Sequence, residues 1–146
     1  MPSGINRSRI LIVTLAAAAL LTACSGSEGD GGGGASGGSD IPWTRVSPDE
    51  LNARLQAEDV YLVNVHTPYE GEIPGTDAFI PYDQIASRTE ELPGDPSELV
   101  IYCRSGNMST VAAQALAAEG YSGFAELTGG YTAWTEAGLP FETPAG

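Results

Sequence analysis

Positive charge is scarce in this sequence. It contains no lysine and six arginines against 19 aspartates and glutamates, so its formal net charge is −13. Proteins that bind nucleic acid or anionic lipid headgroups present clustered lysines and arginines to the phosphates. The composition therefore argues against a nucleic-acid partner, and we interpret the acidic residues as a surface that keeps the protein in solution.

Histidine and cysteine are also few. His66 is the single histidine, and the two cysteines are Cys24 and Cys103. Structural zinc sites take four ligands, mostly cysteine and histidine. Because neither Glu72 nor Asp77 has a partner at the spacing of metal ligands, we predict no metal site, and we predict no cofactor.

Long hydrophobic runs are absent as well. The apolar run over residues 10–23 is too short to span a bilayer, but it follows two arginines and is typical of a secretory signal. Its end, Leu21-Thr22-Ala23-Cys24, resembles the lipobox of bacterial lipoproteins, in which cleavage precedes a cysteine that is then lipidated. The resemblance implies a signal peptide over 1–23 and an extracytoplasmic protein anchored to the cell membrane through Cys24. The alternative, an ordinary signal peptide, is disfavoured because Leu21 is not small.

Glycine and serine dominate the next segment, which includes four consecutive glycines at 31–34. A segment this poor in large apolar side chains buries no core, so we predict that residues 24–40 form a flexible tether behind the lipidated cysteine. The folded domain is predicted over 41–146, which is long enough for an adequate core. If Cys24 carries lipid, the domain keeps one free thiol and forms no internal disulfide.

Apolar strands alternate with helices along the domain. We predict strands over 60–65, 99–102 and 124–127, and helices that begin at Ser47, within 83–92, at Ser109 or Thr110, and near Tyr131. This alternation predicts an α/β fold with a small parallel sheet and helices on both faces. Ligands of such sheets bind beyond the carboxyl ends of the strands.

The segment after strand 99–102 has the properties of a reactive site. It contains, in order, Cys103, Arg104, Ser105, Gly106, Asn107, Met108 and Ser109, and an alanine-rich helix follows. Backbone N–H groups of such a loop and the N-terminus of the helix stabilise an anion, and so favour a thiolate at Cys103. A buried structural cysteine is the alternative, and the polarity of the loop argues against it.

This loop resembles the active-site loop of the rhodanese family of sulfurtransferases. Ile73-Pro74-Gly75 and the segment 127–131 with Trp134 resemble further motifs of that family, and the resemblance covers roughly residues 46–141. It implies a rhodanese-like fold in which Cys103 is the nucleophile and carries a sulfane sulfur as a persulfide. The implied donors are small sulfur-containing anions such as thiosulfate or polysulfide, or a persulfide, and the acceptor is a thiol or a cyanide-like compound.

The same resemblance implies that the rest of the loop binds the donor and the transferred sulfur. The implied binding residues are Arg104, Ser105, Gly106, Asn107, Met108 and Ser109. We expect Arg104, the only cation of the loop, to attract an anionic donor, and Gly106 to permit the tight turn. We expect Ser109 or Thr110 to cap the following helix, and we favour capping alone over an additional hydrogen bond to the sulfur.

The sequence departs from the family pattern at several places, among them a loop position that often holds a second basic residue and here holds Met108. Where the family carries Asp-x-Arg this chain has Asn64-Val65-His66, and Glu72 stands in the position of a signature histidine. His66 is a candidate general base, but we favour a hydrogen-bonding strut at the end of the strand.

Two other functions remain to be weighed. A non-enzymatic rhodanese-like module for partner binding, sulfur carriage or redox sensing fits a single reactive cysteine equally well. A phosphatase of the related fold would need an arginine six positions after the cysteine, where this chain has Ser109. We therefore predict a membrane-tethered sulfurtransferase and rank the phosphatase last.

Overall fold

The computed structural model describes residues 41–144, which form an α/β domain around a five-stranded sheet. The elements in chain order are β1 (Thr44–Val46), α1 (Pro48–Gln56), β2 (Tyr61–Asn64), β3 (Thr76–Phe79), β4 (Leu99–Tyr102), α2 (Asn107–Ala118), β5 (Ala125–Leu127) and α3 (Gly130–Glu136). All paired strands are parallel, in the order β1-β5-β4-β2-β3. Within this part of the chain, none of the helices combines the length and apolar composition that a membrane crossing requires.

Strand β4 lies at the centre of the sheet and is buried along its whole length. Successive side chains of a strand point to opposite faces, so Leu99 and Ile101 join one core and Val100 and Tyr102 the other. The first core is covered by α2 and the second by α1 and α3. The predicted parallel sheet with helices on both faces is confirmed.

Helix α1 begins where the sequence predicts. The Ser47 hydroxyl accepts the Glu50 N–H, and the Glu50 carboxylate accepts the Ser47 N–H at 2.7 Å. This capping box satisfies two backbone donors that the first turn cannot satisfy internally. Pro48 occupies the first turn, where its missing N–H costs nothing.

Two helix predictions are wrong. Residues 83–92 form no α-helix but two 3-10 turns, at 85–87 and 89–91, because the backbone at Arg88 leaves the helical region between them. Helix α2 is not capped by Ser109 or Thr110. It begins at Asn107 because Gly106, with a φ of +98°, turns the chain into the helix earlier.

Candidate active site

Cys103 is the first residue after β4, at the carboxyl end of the central strand. The residue is only 1% exposed, and α2 begins four positions later. The sequence predicted a thiol at this edge of the sheet, next to the start of a helix. The structure places the thiol there and encloses it.

Two groups contact the sulfur of Cys103 by hydrogen bonding. The backbone N–H of Gly106 donates to Sγ at 3.1 Å, and the Ser109 hydroxyl lies 3.5 Å from Sγ. An N–H donor aimed at sulfur stabilises negative charge there. The sequence predicted loop amides from 104 to 109 around the sulfur, and the structure gives this hydrogen bond to the Gly106 amide.

The remaining predicted binding residues differ in exposure. Arg104, Ser105 and Asn107 are exposed, whereas Met108 is half-buried and packs against the apolar core that contains Cys103. Ser105 and Asn107 line a polar cavity of about 220 Å³ on one side of the loop. Arg104 lines a second cavity of about 380 Å³, together with Glu70 and Tyr131.

The loop is held from behind by the start of α3. The Tyr131 N–H donates to the Cys103 carbonyl at 2.9 Å, and the Thr132 N–H donates to the Arg104 carbonyl at 3.0 Å. This approach requires glycine at position 130, where φ is +59° and an added Cβ would lie 2.1 Å from the Cys103 oxygen. The backbone of α3 therefore fixes the position of Cys103.

A buried carboxylate, Glu126 of β5, supports the other side of the loop. Its Oε1 accepts hydrogen bonds from Ser109 at 2.8 Å and from Thr110 at 2.7 Å. Its Oε2 accepts from the indole of Trp43 at 3.2 Å and lies 3.6 Å from Nε of Arg45. These donors replace water around a residue that is only 2% exposed. Sequence reasoning missed Glu126, because nothing in its local pattern marks a buried carboxylate.

Asn64 and His66 stabilise the loop after β2. The Asn64 amide donates to the Gly71 carbonyl at 2.9 Å and accepts the His66 N–H at 2.9 Å. The His66 Nε2 lies 3.0 Å from the Glu70 carboxylate, while its buried Nδ1 has no hydrogen-bond partner in residues 41–144. These contacts agree with a hydrogen-bonding strut.

Glu70 contacts three residues from different parts of the site, which are His66, Tyr131 and Arg104. Sequence analysis did not identify Glu70 as a site residue. Its Oε2 accepts a short hydrogen bond from the Tyr131 hydroxyl, and its Oε1 lies 3.5 Å from Nη1 of Arg104. The hydrogen bond from Tyr131, helped by the charges of Arg104 and His66, lowers the pKa of the Glu70 carboxyl. Burial, together with the same hydrogen bond, raises the pKa of Tyr131.

Residues 41–144 hold no cluster of three or more histidine, cysteine, aspartate or glutamate side chains arranged to bind a metal ion. Cys103 is also the single cysteine of that segment, and its thiol is free. The site therefore consists of a thiol, its amide and hydroxyl neighbours, and two guanidiniums, of Arg104 and Arg45, that each face a carboxylate.

Known proteins with a similar sequence or fold are rhodanese-like domains and a sulfurtransferase. The rhodanese-like domain family matches residues 47–137. A protein of Allochromatium vinosum named sulfurtransferase is 42% identical over 106 residues, which span 69% of this chain and 96% of that protein. The rhodanese-like domain of an Anabaena protein superposes with a TM-score of 0.57 at 26% identity, over 72% of this chain and 86% of that one.

A rhodanese-like domain protein from Staphylococcus aureus superposes with a TM-score of 0.54 at 28% identity, over 68% of this chain and 99% of that one. The predicted rhodanese-like fold is confirmed by these matches. The chain therefore belongs to the family of rhodanese-like domains, and its domain is of the sulfurtransferase type.

Proposed function

We propose that the protein is a sulfurtransferase in which Cys103 accepts a sulfane sulfur as a persulfide and passes it to a thiol or a cyanide-like acceptor. One observation carries this proposal: the Cys103 sulfur lies at the carboxyl end of the central strand and accepts the Gly106 N–H at 3.1 Å. The sulfurtransferase name of the Allochromatium relative supports the same reaction class.

The proposed reaction has two steps. The Cys103 thiolate attacks the sulfane sulfur of the donor, a bond forms between the two sulfurs, and the donor's leaving group departs with its electron pair. The acceptor then attacks the outer sulfur and releases the thiolate. In the free enzyme the negative charge lies on Sγ, where the preorganised Gly106 N–H stabilises it without reorganisation. In the persulfide the charge lies on the outer sulfur.

The burial of Cys103 suits this chemistry. A persulfide is easily oxidised or reduced, and a residue that is 1% exposed is shielded from bulk solvent. Because Ser109 carries one hydroxyl proton and already contacts Glu126, the Gly106 amide is the donor most directly available to the sulfur.

Mass spectrometry of the intact protein tests the proposal. After exposure to thiosulfate, polysulfide or an organic persulfide, wild-type protein should gain one sulfur atom, and cyanide or a thiol should remove it. Cys103→Ser should gain none, whereas Cys24→Ser, which removes the chain's other cysteine, should load normally. Absence of the adduct with all three donors, or normal loading of Cys103→Ser, would refute the proposal.

A sulfur carrier or redox sensor is the second candidate. The observation that favours a carrier is that Cys103 is the single free thiol of residues 41–144, so no second cysteine there can displace a bound sulfur. Loading with one sulfur but no repeated turnover with excess donor and acceptor would favour this candidate over the enzyme.

We also propose that the protein is exported and anchored to the membrane through a lipid on Cys24. The support is the sequence Leu21-Thr22-Ala23-Cys24 after a short apolar run, and these residues lie outside the described part of the structure. In the producing cells, Cys24→Ala should shift the protein from the membrane fraction to the soluble fraction. Equal membrane association of the variant would contradict the lipid anchor.

A further inference from the structure

Each guanidinium beside the cysteine loop faces a carboxylate. Nη1 of Arg104 lies 3.5 Å from Glu70, and Nε of Arg45 lies 3.6 Å from Glu126. The chain has no lysine to add positive charge. In the described part of the chain, the positive charge of each of these two arginines is therefore already paired with a carboxylate when no donor is bound.

The carboxylate of Glu70 is fixed in place although it is partly exposed. Its side chain is 41% exposed, yet the Tyr131 hydroxyl donates to one oxygen, and His66 Nε2 lies 3.0 Å from that same oxygen. The hydrogen bond from Tyr131 lowers the pKa of the carboxyl, so the group is ionised at neutral pH. Glu70 thus keeps its negative charge on the wall of the cavity that it shares with Arg104.

Resting on the proposed function, we propose that Glu70 determines the charge class of the sulfur donor. A donor anion that pairs with Arg104 must compete with Glu70, which stays tied to Tyr131 and His66 on the same wall. The repulsion grows in proportion to the donor's charge. Compared with the same site without the Glu70 charge, this site therefore discriminates against dianionic thiosulfate and favours sulfane donors that carry one negative charge.

Two donors that differ in charge, and that both release a sulfur oxyanion, separate the effect of donor charge from general reactivity. Thiosulfate, a dianion, transfers its sulfane sulfur to the Cys103 thiolate and leaves as sulfite. Methanethiosulfonate, a monoanion, transfers its sulfane sulfur to the same thiolate and leaves as methanesulfinate. In both reactions one sulfur–sulfur bond forms, one breaks, and the leaving group keeps the electron pair of the broken bond.

The expected effect follows from the extra unit of donor charge. Removing one negative charge roughly 5–7 Å from the donor should raise thiosulfate loading over methanethiosulfonate loading by about three- to tenfold, depending on the local dielectric. Because sulfite and sulfinate differ as leaving groups, the informative quantity is the change in the ratio of the two second-order loading rates.

The experiment measures both loading rates by mass spectrometry in wild-type protein and three variants. Glu70→Gln keeps an acceptor for the Tyr131 hydroxyl but loses the charge, so the ratio should shift toward thiosulfate. Glu70→Asp keeps the charge and should retain a ratio close to that of wild type. Glu119→Gln removes the same charge at the far end of α2, roughly 18 Å from its start, and should leave the ratio unchanged.

The outcomes are distinct. A ratio unchanged in Glu70→Gln, or shifted equally in Glu70→Asp or Glu119→Gln, would overturn the role of Glu70 and leave the sulfurtransferase proposal intact. If wild-type protein loads from neither of these donors, nor from polysulfide or an organic persulfide, the sulfurtransferase proposal itself is refuted.

Discussion

Gly130→Ala should damage the site more than any other single methyl addition to a described glycine. Position 130 has a φ of +59°, and an ideal Cβ there lies 2.1 Å from the Cys103 oxygen and 2.6 Å from the Arg104 carbonyl carbon. Ordinary van der Waals contact begins near 3.4 Å. Both neighbours are backbone atoms, which cannot rotate away as the end of a side chain can.

The expected cost has two parts. Placing an L side chain in the left-handed region costs about 1–2 kcal/mol, and forcing apart a packed backbone adds about 1–3 kcal/mol. The free energy of unfolding should therefore fall by roughly 2–5 kcal/mol. Since the Cys103 carbonyl must move by about 1 Å, and misplacement by that distance can cost about 100-fold, sulfur loading should slow by about that factor.

Gly138→Ala is the matched control. Gly138 also has a positive φ, +78°, but an added Cβ there meets no atom within 4 Å. It should lose only the 1–2 kcal/mol for the backbone conformation and load sulfur at the wild-type rate. Urea unfolding and loading rates of both variants test the reasoning. Equal losses of stability in the two variants, or normal loading of Gly130→Ala, would refute the claim that α3 fixes the cysteine.

Two further predictions concern stability. Ser47→Ala breaks the capping box of α1 and should lower the free energy of unfolding, measured in urea, by about 1 kcal/mol. The control Ser122→Ala, at an exposed position, should change this free energy little. Equal effects of the two substitutions would contradict a stabilising role of the cap. Burial raises the pKa of Tyr102 to about 12 from 10.0, so the neutral phenol stabilises the fold below pH 10 and that contribution is lost as the pH rises toward 12. The free energy of unfolding, measured at a series of alkaline pH values, should fall by roughly 2–3 kcal/mol from this group, and Tyr102→Phe should lose this pH dependence. An unchanged dependence on alkaline pH in Tyr102→Phe would contradict the role of Tyr102.

The parts of the fold that depend on neighbours in sequence could be predicted. The capping box of α1 spans three residues, and the buried strand Leu99–Tyr102 is a continuous apolar run, so both have the predicted positions. The position of Cys103 follows from that strand. Strands β1 and β3 were not predicted, because exposed or half-exposed side chains interrupt their apolar pattern.

The two carboxylates that hydrogen-bond around the site, Glu70 and Glu126, could not be predicted, because their hydrogen-bond partners are distant in sequence. The hydrogen bond between Trp43 and Glu126 joins residues 83 positions apart, and that between Tyr131 and Glu70 joins residues 61 apart. No local pattern distinguishes these two carboxylates from the exposed ones. The roles assigned to Cys103 and its loop stay predictions, to be decided by the loading experiments.

The groups that hold the cysteine loop in place belong largely to the main chain. The Cys103 sulfur accepts a hydrogen bond from the Gly106 N–H, and the carbonyls of Cys103 and Arg104 accept hydrogen bonds from N–H groups of α3. Side chains at Ser105 and Asn107, in contrast, point outward at exposed positions. Under the proposed function, substitutions at those two positions should change which donors bind, whereas the main-chain hydrogen bonds that position Cys103 should remain intact.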